Sequence, residues 1–317
     1  MEAIHVEEVV KRYKNGVEAL NGLSLTVKKG EIFSLLGQNG AGKSTLINIL
    51  TTYLEPTSGI VKILGNDIYI ETDKVRRSIA CVAQKTSIDT YLSLRENMLF
   101  QSRLYKIPKS EAEERMKTLI SCFYLERYLD YTVSSYSGGV KRRLDIALNL
   151  MSNPQILFLD EPTVGMDIQS RIAMWEMMKK IRDEFGTTIF LTTHYLEEAD
   201  DLSDTICIMR DGKEVVQGTP SGLRELIKKD VLSIRFTNKD ESRSCFKKLS
   251  NFKNDIKLSL RDEKILIYSK QSREDFKTIN QWLFQSQTKF EGIEIVQPTL
   301  DDVFLRLTEV NGLEEIS

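Results

Sequence analysis

Apolar residues recur along this chain in two rhythms, and the places where one gives way to the other divide it into parts. Residues 3–10, 23–27 and 31–36 are runs of strand character separated by Asn15-Gly16, Asn21-Gly22 and Lys28-Lys29-Gly30, residue types that make turns. They predict a small antiparallel sheet leading into the segment after residue 36. Beyond the breaker cluster Glu55-Pro56-Thr57-Ser58-Gly59, strands are expected at 60–64 and 79–84. From about residue 85 to 153 the spacing becomes helical, and Ser93-Leu94-Arg95-Glu96 and Ser110-Glu111-Ala112-Glu113 both fit the S-x-x-E capping box. Strands return at 155–160, 187–191 and 205–210, with an amphipathic helix over 167–185 stopped by Gly186. Such alternation implies a parallel sheet with right-handed crossovers. Residues 1–228 are therefore expected to form an α/β domain with a helical subdomain at about 85–153. Past roughly Lys229 the order becomes strand 231–236, helix 241–249, strands 255–260 and 264–269, helix 273–285 and strand 293–297. That β-α-β-β-α-β order predicts a small α+β domain of ferredoxin-like arrangement over 229–317. A helix at 300–308 closes it and is expected to stabilise a paired subunit.

Composition narrows the class without naming a chemistry. A chain of 317 residues fits about two domains, and 41% hydrophobic with 28% charged residues is ordinary for a globular protein. The 44 basic and 46 acidic side chains leave a formal net charge of -2, so nothing global points to nucleic acid or an anionic membrane. Cys81, Cys122, Cys207 and Cys245 form no C-x-x-C pair, which suits reduced thiols rather than disulfides or zinc. Met1-Glu2-Ala3-Ile4 opens no signal-peptide core, and no apolar run approaches the roughly 20 residues needed to span a bilayer. Membrane association is expected to need a partner.

The chemistry begins after residue 36. Gly37-Gln38-Asn39-Gly40-Ala41-Gly42-Lys43-Ser44-Thr45 fits G-x-x-x-x-G-K-[ST] and follows an apolar strand. Glycines let backbone N–H groups turn inward around a polyphosphate, Lys43 reaches the β and γ phosphates, and the Ser44 hydroxyl ligates Mg²⁺. The helical spacing after Thr45 aims a positive helix N-terminus at the same anion. Ile156-Leu157-Phe158-Leu159-Asp160-Glu161 is a second apolar strand ending in two carboxylates, at the strand end where α/β folds place ligand groups. Asp160 is expected to hold Mg²⁺ and Glu161 to orient the attacking water. Tyr136-Ser137-Gly138-Gly139-Val140 opens a further helix, and Ser137 with the glycine N–H groups makes a second anion site. Alone, such a segment is a flexible N-cap. One polyphosphate does not need two cradles in one subunit, so the second is expected to face a nucleotide on another copy.

Taken in order, these residues resemble the nucleotide-binding subunits of ABC transporters over nearly the whole chain. The phosphate loop, Gln84 at a strand end, the Ser-Gly-Gly signature, the Asp-Glu strand, Gly165-Met166-Asp167 and His194 occur in family order. The resemblance implies a P-loop NTPase of ABC type: a parallel-sheet core, an antiparallel β subdomain and a helical subdomain. It implies two nucleotide domains, as homodimer or heterodimer, closing head to tail around two Mg²⁺-bound ATP molecules. Each signature then contacts the γ-phosphate held by the other subunit. On the same basis Gln84 senses Mg²⁺ and the water, His194 contacts the γ-phosphate, Asp167 bridges the subunits, and Tyr13 stacks on adenine.

Two departures stand out in the signature, where Tyr136 replaces the usual Leu and Val140 the usual Gln. Loss of that amide is expected to slow hydrolysis. Residues 192–200 and the tail Pro298-Thr299-Leu300-Asp301-Asp302-Val303-Phe304 look like the drug-exporting branch, similar to daunorubicin-resistance ATPase subunits. Those work with a separate membrane-spanning permease, and residues 86–105 would form the groove receiving its cytoplasmic helix. The subunit is then expected to be peripheral, on the cytoplasmic face of the membrane, exporting a drug-like, lipid or peptide substrate. Other readings are a soluble ABC ATPase acting on ribosomes or DNA, and an importer motor. The former usually carries two cassettes or a long insertion. The latter carries a β-barrel extension where this tail alternates strands and helices.

Overall fold

A computed structural model describes residues 1–227, 230–252, 257–269 and 272–308. It divides into two compact units, Met1–Pro220 and Ser221–Ser317. The expected boundary at 228/229 and the start of the strand expected at 255–260 lie outside the described residues.

In the first unit, β1 (Glu2–Arg12) and β2 (Glu18–Lys28) form an antiparallel pair. β2 does not turn at Asn21-Gly22 as its sequence suggested. Val9 faces Leu23 and Val10 faces Asn21, so Gly22, at φ 75°, is the extra residue of a bulge, and the strand runs on through it. After β3 (Ile32–Leu36) come α1 (Lys43–Leu50), β4 (Ser58–Ile63), β5 (Asn66–Asp67), α2 (Thr72–Ser78) and β6 (Ile79–Val82). The helical insertion holds α3 (Leu94–Leu104), α4 (Lys109–Cys122) and α5 (Gly138–Leu150). Ser93 makes the full predicted capping box with Glu96. Ser110 does not cap, because Pro108, which needs no amide partner, already takes the N-cap position of α4. The chain continues through β7 (Ile156–Asp160), α6 (Ile168–Phe185), β8 (Thr188–Thr193), α7 (Leu196–Leu202), β9 (Thr205–Arg210), β10 (Lys213–Gly218) and α8 (Pro220–Glu225). Gly186 ends α6 in the left-handed conformation, φ 63°.

Two sheets share this unit. One is antiparallel, ordered β2-β1-β4-β5. The other is ordered β10-β9-β3-β8-β7-β6, parallel throughout except for β10. β3 thus belongs to the parallel sheet and not to the antiparallel one. Its neighbours alternate between two cores: Leu157, Leu159, Ile189 and Leu191 pack with α5 and α6, whereas Phe33, Leu35, Ile156, Phe158 and Phe190 pack with α1 and the antiparallel sheet. The Phe33 and Phe190 rings stack at 5.2 Å. Burial on both faces explains why these strands read as unbroken apolar runs, and it brings the C-terminal ends of β3, β7 and β8 to one edge.

The second unit contains β11 (Asp230–Arg235), α9 (Lys239–Phe252), β12 (Lys257–Arg261), β13 (Lys264–Ser269), α10 (Ser272–Gln285), β14 (Gly292–Val296) and α11 (Leu300–Thr308). Its sheet is antiparallel and ordered β12-β13-β11-β14, the ferredoxin-like arrangement read from the order of elements. Leu232, Ile234, Ile265 and Ile267 pack with Cys245 and Leu249 of α9 and Ile279 and Leu283 of α10. Asp302 of α11 accepts bonds from Arg261 (2.7 Å) and Tyr268 (2.9 Å), pinning the last helix to strands of its own sheet.

Candidate functional site

The loop between β3 and α1 is shaped by its glycines. A Cβ on Gly37 would come within 2.7 Å of the Met209 carbonyl, and one on Gly42, at φ 105°, would overlap the Ala19 carbonyl. Backbone therefore closes on both ends of the loop, and only glycine fits there. Gly40 also has positive φ, 87°. The Ala41 amide donates to the Gln38 carbonyl (3.1 Å) and the Ala41 carbonyl accepts from the Gly212 amide (3.1 Å), anchoring the loop to the turn after β9. Gln38, Asn39 and Gly40 remain exposed. Lys43 is buried and donates to the carbonyls of Gly37 (2.8 Å) and Gln38 (3.3 Å). Burial lowers its pKa, and the nearby carboxylates of Glu161 and Asp160 oppose that shift. Ser44 lies exposed at the start of α1, and the Thr45 hydroxyl is 3.2 Å from that of Tyr13.

The two carboxylates stand where β7 meets β8. Thr192 donates to Asp160 Oδ1 at 2.6 Å, and its hydroxyl accepts the Glu161 amide at 3.1 Å. Glu161 takes a left-handed backbone, φ 45°. Its Oε1 is 3.2 Å from His194 Nδ1, so residues far apart in sequence meet as a carboxylate–imidazole pair beside Lys43. This joins Lys43, Asp160, Glu161 and His194 into one constellation.

Ser137, Gly138 and Gly139 fall elsewhere. With Gln84, Glu161 and Asp167 they line a cleft of about 340 Å³, to which no residue of the loop 37–45 contributes. Ser137 is the N-cap of α5, yet its hydroxyl makes no capping bond. A Cβ on Gly138 would meet open space and one on Gly139 the side chain of Ser170, no closer than 3.7 Å. Asp167 is the N-cap of α6, its carboxylate accepting from the Ser170 amide (2.9 Å) and hydroxyl (2.6 Å), bonds that lower its pKa. Gln84 lies in the loop two residues past the end of β6, not on the strand as expected. Val140 is buried in the larger core, so a glutamine there would bury an amide. Tyr136 is likewise buried, its hydroxyl donating to the carbonyls of Tyr131 (2.8 Å) and Tyr128.

Several contacts had no counterpart in the sequence reading. Arg142 of α5, buried, donates to the carbonyls of Ala83 (2.5 Å) and Asp160 (3.3 Å). Glu198 of α7, fully buried, accepts from Thr163 (2.7 Å) and Trp175 Nε1 (3.0 Å), fastening the segment before Asp167 to the helix after His194. The available signal was a charged residue at a buried phase of an amphipathic helix, which spacing alone assigns no partner.

Comparison with known proteins agrees with this geometry. The ABC transporter family model matches residues 20–164. The chain is 36% identical over 308 residues to the daunorubicin/doxorubicin resistance ATP-binding protein DrrA of Streptomyces peucetius, spanning 96% of this chain and 92% of that one. It is 35% identical over 309 residues to the Nod factor export ATP-binding protein I of Sinorhizobium fredii, spanning 96% and 86%. Among solved structures, cbiO1 of Clostridium perfringens, part of the ABC transporter complex cbiONQ, superposes with a TM-score of 0.67 at 30% identity, covering 72% of this chain and 93% of that one. The ATP-binding cassette MJ0796, in a dimeric post-hydrolysis state bound to ADP and Pi, gives 0.60 at 29% identity, covering 68% and 98%. With its phosphate loop, paired carboxylates and histidine gathered at one sheet edge, the chain belongs to the ABC transporter family, as an ATP-hydrolysing ATP-binding subunit.

Proposed function

We propose that the chain is the motor of an exporter, in which two nucleotide domains, identical or closely related, close on Mg-ATP and drive a separate membrane-spanning permease from its cytoplasmic face. The exported compound is drug-like, a lipid or a peptide, in keeping with the resistance and export functions named for its relatives. Residues 1–228 act as the nucleotide-binding domain, with 85–153 as its helical subdomain and 86–105 as the permease groove. Residues 229–317 form an accessory domain.

Gly37, Asn39, Gly40, Ala41, Gly42, Lys43, Ser44 and Thr45 hold the triphosphate, with Tyr13 against the adenine. The donor set suits a hard cation: Thr192 occupies only one oxygen of Asp160, and the Ser44 hydroxyl is exposed. Ser44, Asp160 and Gln84 would hold Mg²⁺ together with water and phosphate oxygens, as that ion prefers. Bound there, Mg²⁺ neutralises charge on the phosphates. Glu161 accepts the proton of the attacking water, and His194, held at 3.2 Å from that carboxylate, fixes its direction and faces the γ-phosphate.

Ser137, Gly138 and Gly139 serve the nucleotide of the other subunit. Among the described residues nothing requires glycine at 138 or 139, since a Cβ would meet no neighbour closer than 3.7 Å. What needs the space therefore comes from outside. Asp167 lies beside them and meets the partner.

The observation that carries this reading is the Glu161–His194 pair set beside a buried Lys43. Glu161→Gln should keep nucleotide affinity, lose hydrolysis by roughly 100-fold or more, and accumulate an ATP-bound dimer in size-exclusion chromatography. Lys43→Ala should instead weaken binding itself. A Glu161→Gln chain that remains monomeric and turns over ATP at the native rate would refute the proposal.

A further inference from the structure

Arg142 and Asp145 stand three residues apart on α5, with side chains only 6% and 2% exposed and 3.6 Å between their charged atoms. Burying an ion pair costs more than a surface pair returns, so its presence calls for an account beyond stability. Both groups feel that cost: burial raises the Asp145 carboxyl and lowers the Arg142 guanidinium. Their remaining bonds leave the helix. Arg142 donates through one nitrogen to the Ala83 carbonyl (2.5 Å) and through another to the Asp160 carbonyl (3.3 Å). Asp145 Oδ1 accepts the Ser87 hydroxyl at 3.3 Å. Ala83 and Ser87 flank Gln84, so the pair grips the Gln84 loop on both sides and the backbone of Asp160 in addition. The forked guanidinium reaches two carbonyls at once, which an ammonium cannot do with the same geometry.

Ser137 stands at the N-cap position of the same helix, five residues before Arg142 and about 7.5 Å along its axis at 1.5 Å per residue. A short length of helix transmits displacement without bending. We infer that Arg142 is a positioning residue, paired with Asp145, that couples Gln84 and Asp160 of one ATP site to the Ser137-Gly138-Gly139 segment the same subunit presents to the other site. A shift of the Gln84 loop on nucleotide binding would then move the donor segment facing the partner's nucleotide. The inference rests on the dimer reading above, and it assigns to this chain a link between its two half-sites.

The test compares Arg142→Lys and Ser87→Ala with the native chain. Arg142→Lys keeps the charge and loses the fork. Ser87→Ala removes one grip at an exposed position, so it folds even where the arginine variant does not. Affinity for Mg-ATP should stay within about twofold, while kcat falls roughly 10- to 100-fold in Arg142→Lys, as a misplacement of about 1 Å far from the chemistry can produce. It should fall less in Ser87→Ala. The Hill coefficient for ATP should drop towards one in both, a readout that simple loss of packing would not move. In the Glu161→Gln background, Arg142→Lys should weaken ATP-driven dimerisation at unchanged nucleotide affinity. If Glu161→Gln alone fails to dimerise, the dimer reading falls and this inference with it. If Glu161→Gln dimerises equally with and without Arg142→Lys, and both single variants keep native turnover and cooperativity, the coupling role of Arg142 alone is overturned.

Discussion

Glu161 holds a backbone conformation, φ 45°, that costs a residue with a side chain of order 1–3 kcal/mol. The site compensates locally. Thr192 accepts its amide and at the same time fastens Asp160, so one hydroxyl orients both carboxylates. The result points Glu161 towards His194 rather than along the strand, which residue types alone do not convey. The sequence did identify the acids, the lysine and the histidine, because each occupies a fixed place in a short motif. It gave no sign of Thr192 as their shared support, since a threonine on a buried strand is common. Glu214, on β10, shows the opposite case of a carboxyl without compensation. Burial alone raises its pKa above the usual 4.5. A carboxyl whose folded pKa is raised favours folding in its protonated form, fully so below the unfolded value, and loses that contribution as pH rises through the folded value. Glu214→Gln should therefore raise the thermal midpoint at pH 7, and the gain should vanish below about pH 4.5.

Among the elements, α3 shows how a local signal reaches the site. Its capping box satisfies two orphan donors, with the Glu96 amide given to Ser93 Oγ at 3.2 Å and the Ser93 amide to Glu96 at 2.8 Å. One turn on, Asn97 accepts the Asp89 amide (3.1 Å) and donates to the Asp89 carbonyl (2.9 Å), so the helix start also fastens the stretch following Gln84. Ser93→Ala should cost about 1 kcal/mol of stability, seen in chemical denaturation, and should increase amide exchange between residues 84 and 93. The same box read at Ser110 failed, because capping depends on where the helix begins and Pro108 begins it earlier. Likewise Asn21-Gly22 carries turn residues but sits inside β2, where pairing with β1 turns the extra residue into a bulge. Turn chemistry is local; whether the chain turns or bulges depends on the strand lying opposite.

At the scale of the molecule, each of the two units has a hydrophobic cluster of its own among the described residues. The clusters around Phe33 and around Leu144 use residues of the first unit only, and the cluster around Leu232 uses residues of the second only. A chain ending at Pro220 should fold, with Mg-ATP affinity within about twofold of the full chain, as expected when a domain keeps its own core. Loss of ATP-driven dimerisation in that truncation would assign the second unit to subunit pairing, whereas equal dimerisation would exclude it. By itself the sequence determined that there is a phosphate loop, that two acids close a buried strand, that a Ser-Gly-Gly segment opens a helix, and that strands and helices alternate in two different orders. These are properties of neighbours along the chain, where residue type and spacing carry the physics. Only the tertiary structure decided that β3 leaves the antiparallel sheet for the parallel one, that Glu161 meets His194, and that Arg142 reaches Ala83 and Asp160. The three hydrogen-bonded contacts join residues 18 to 59 positions apart, and strand pairing and helix packing, not spacing, bring them within reach.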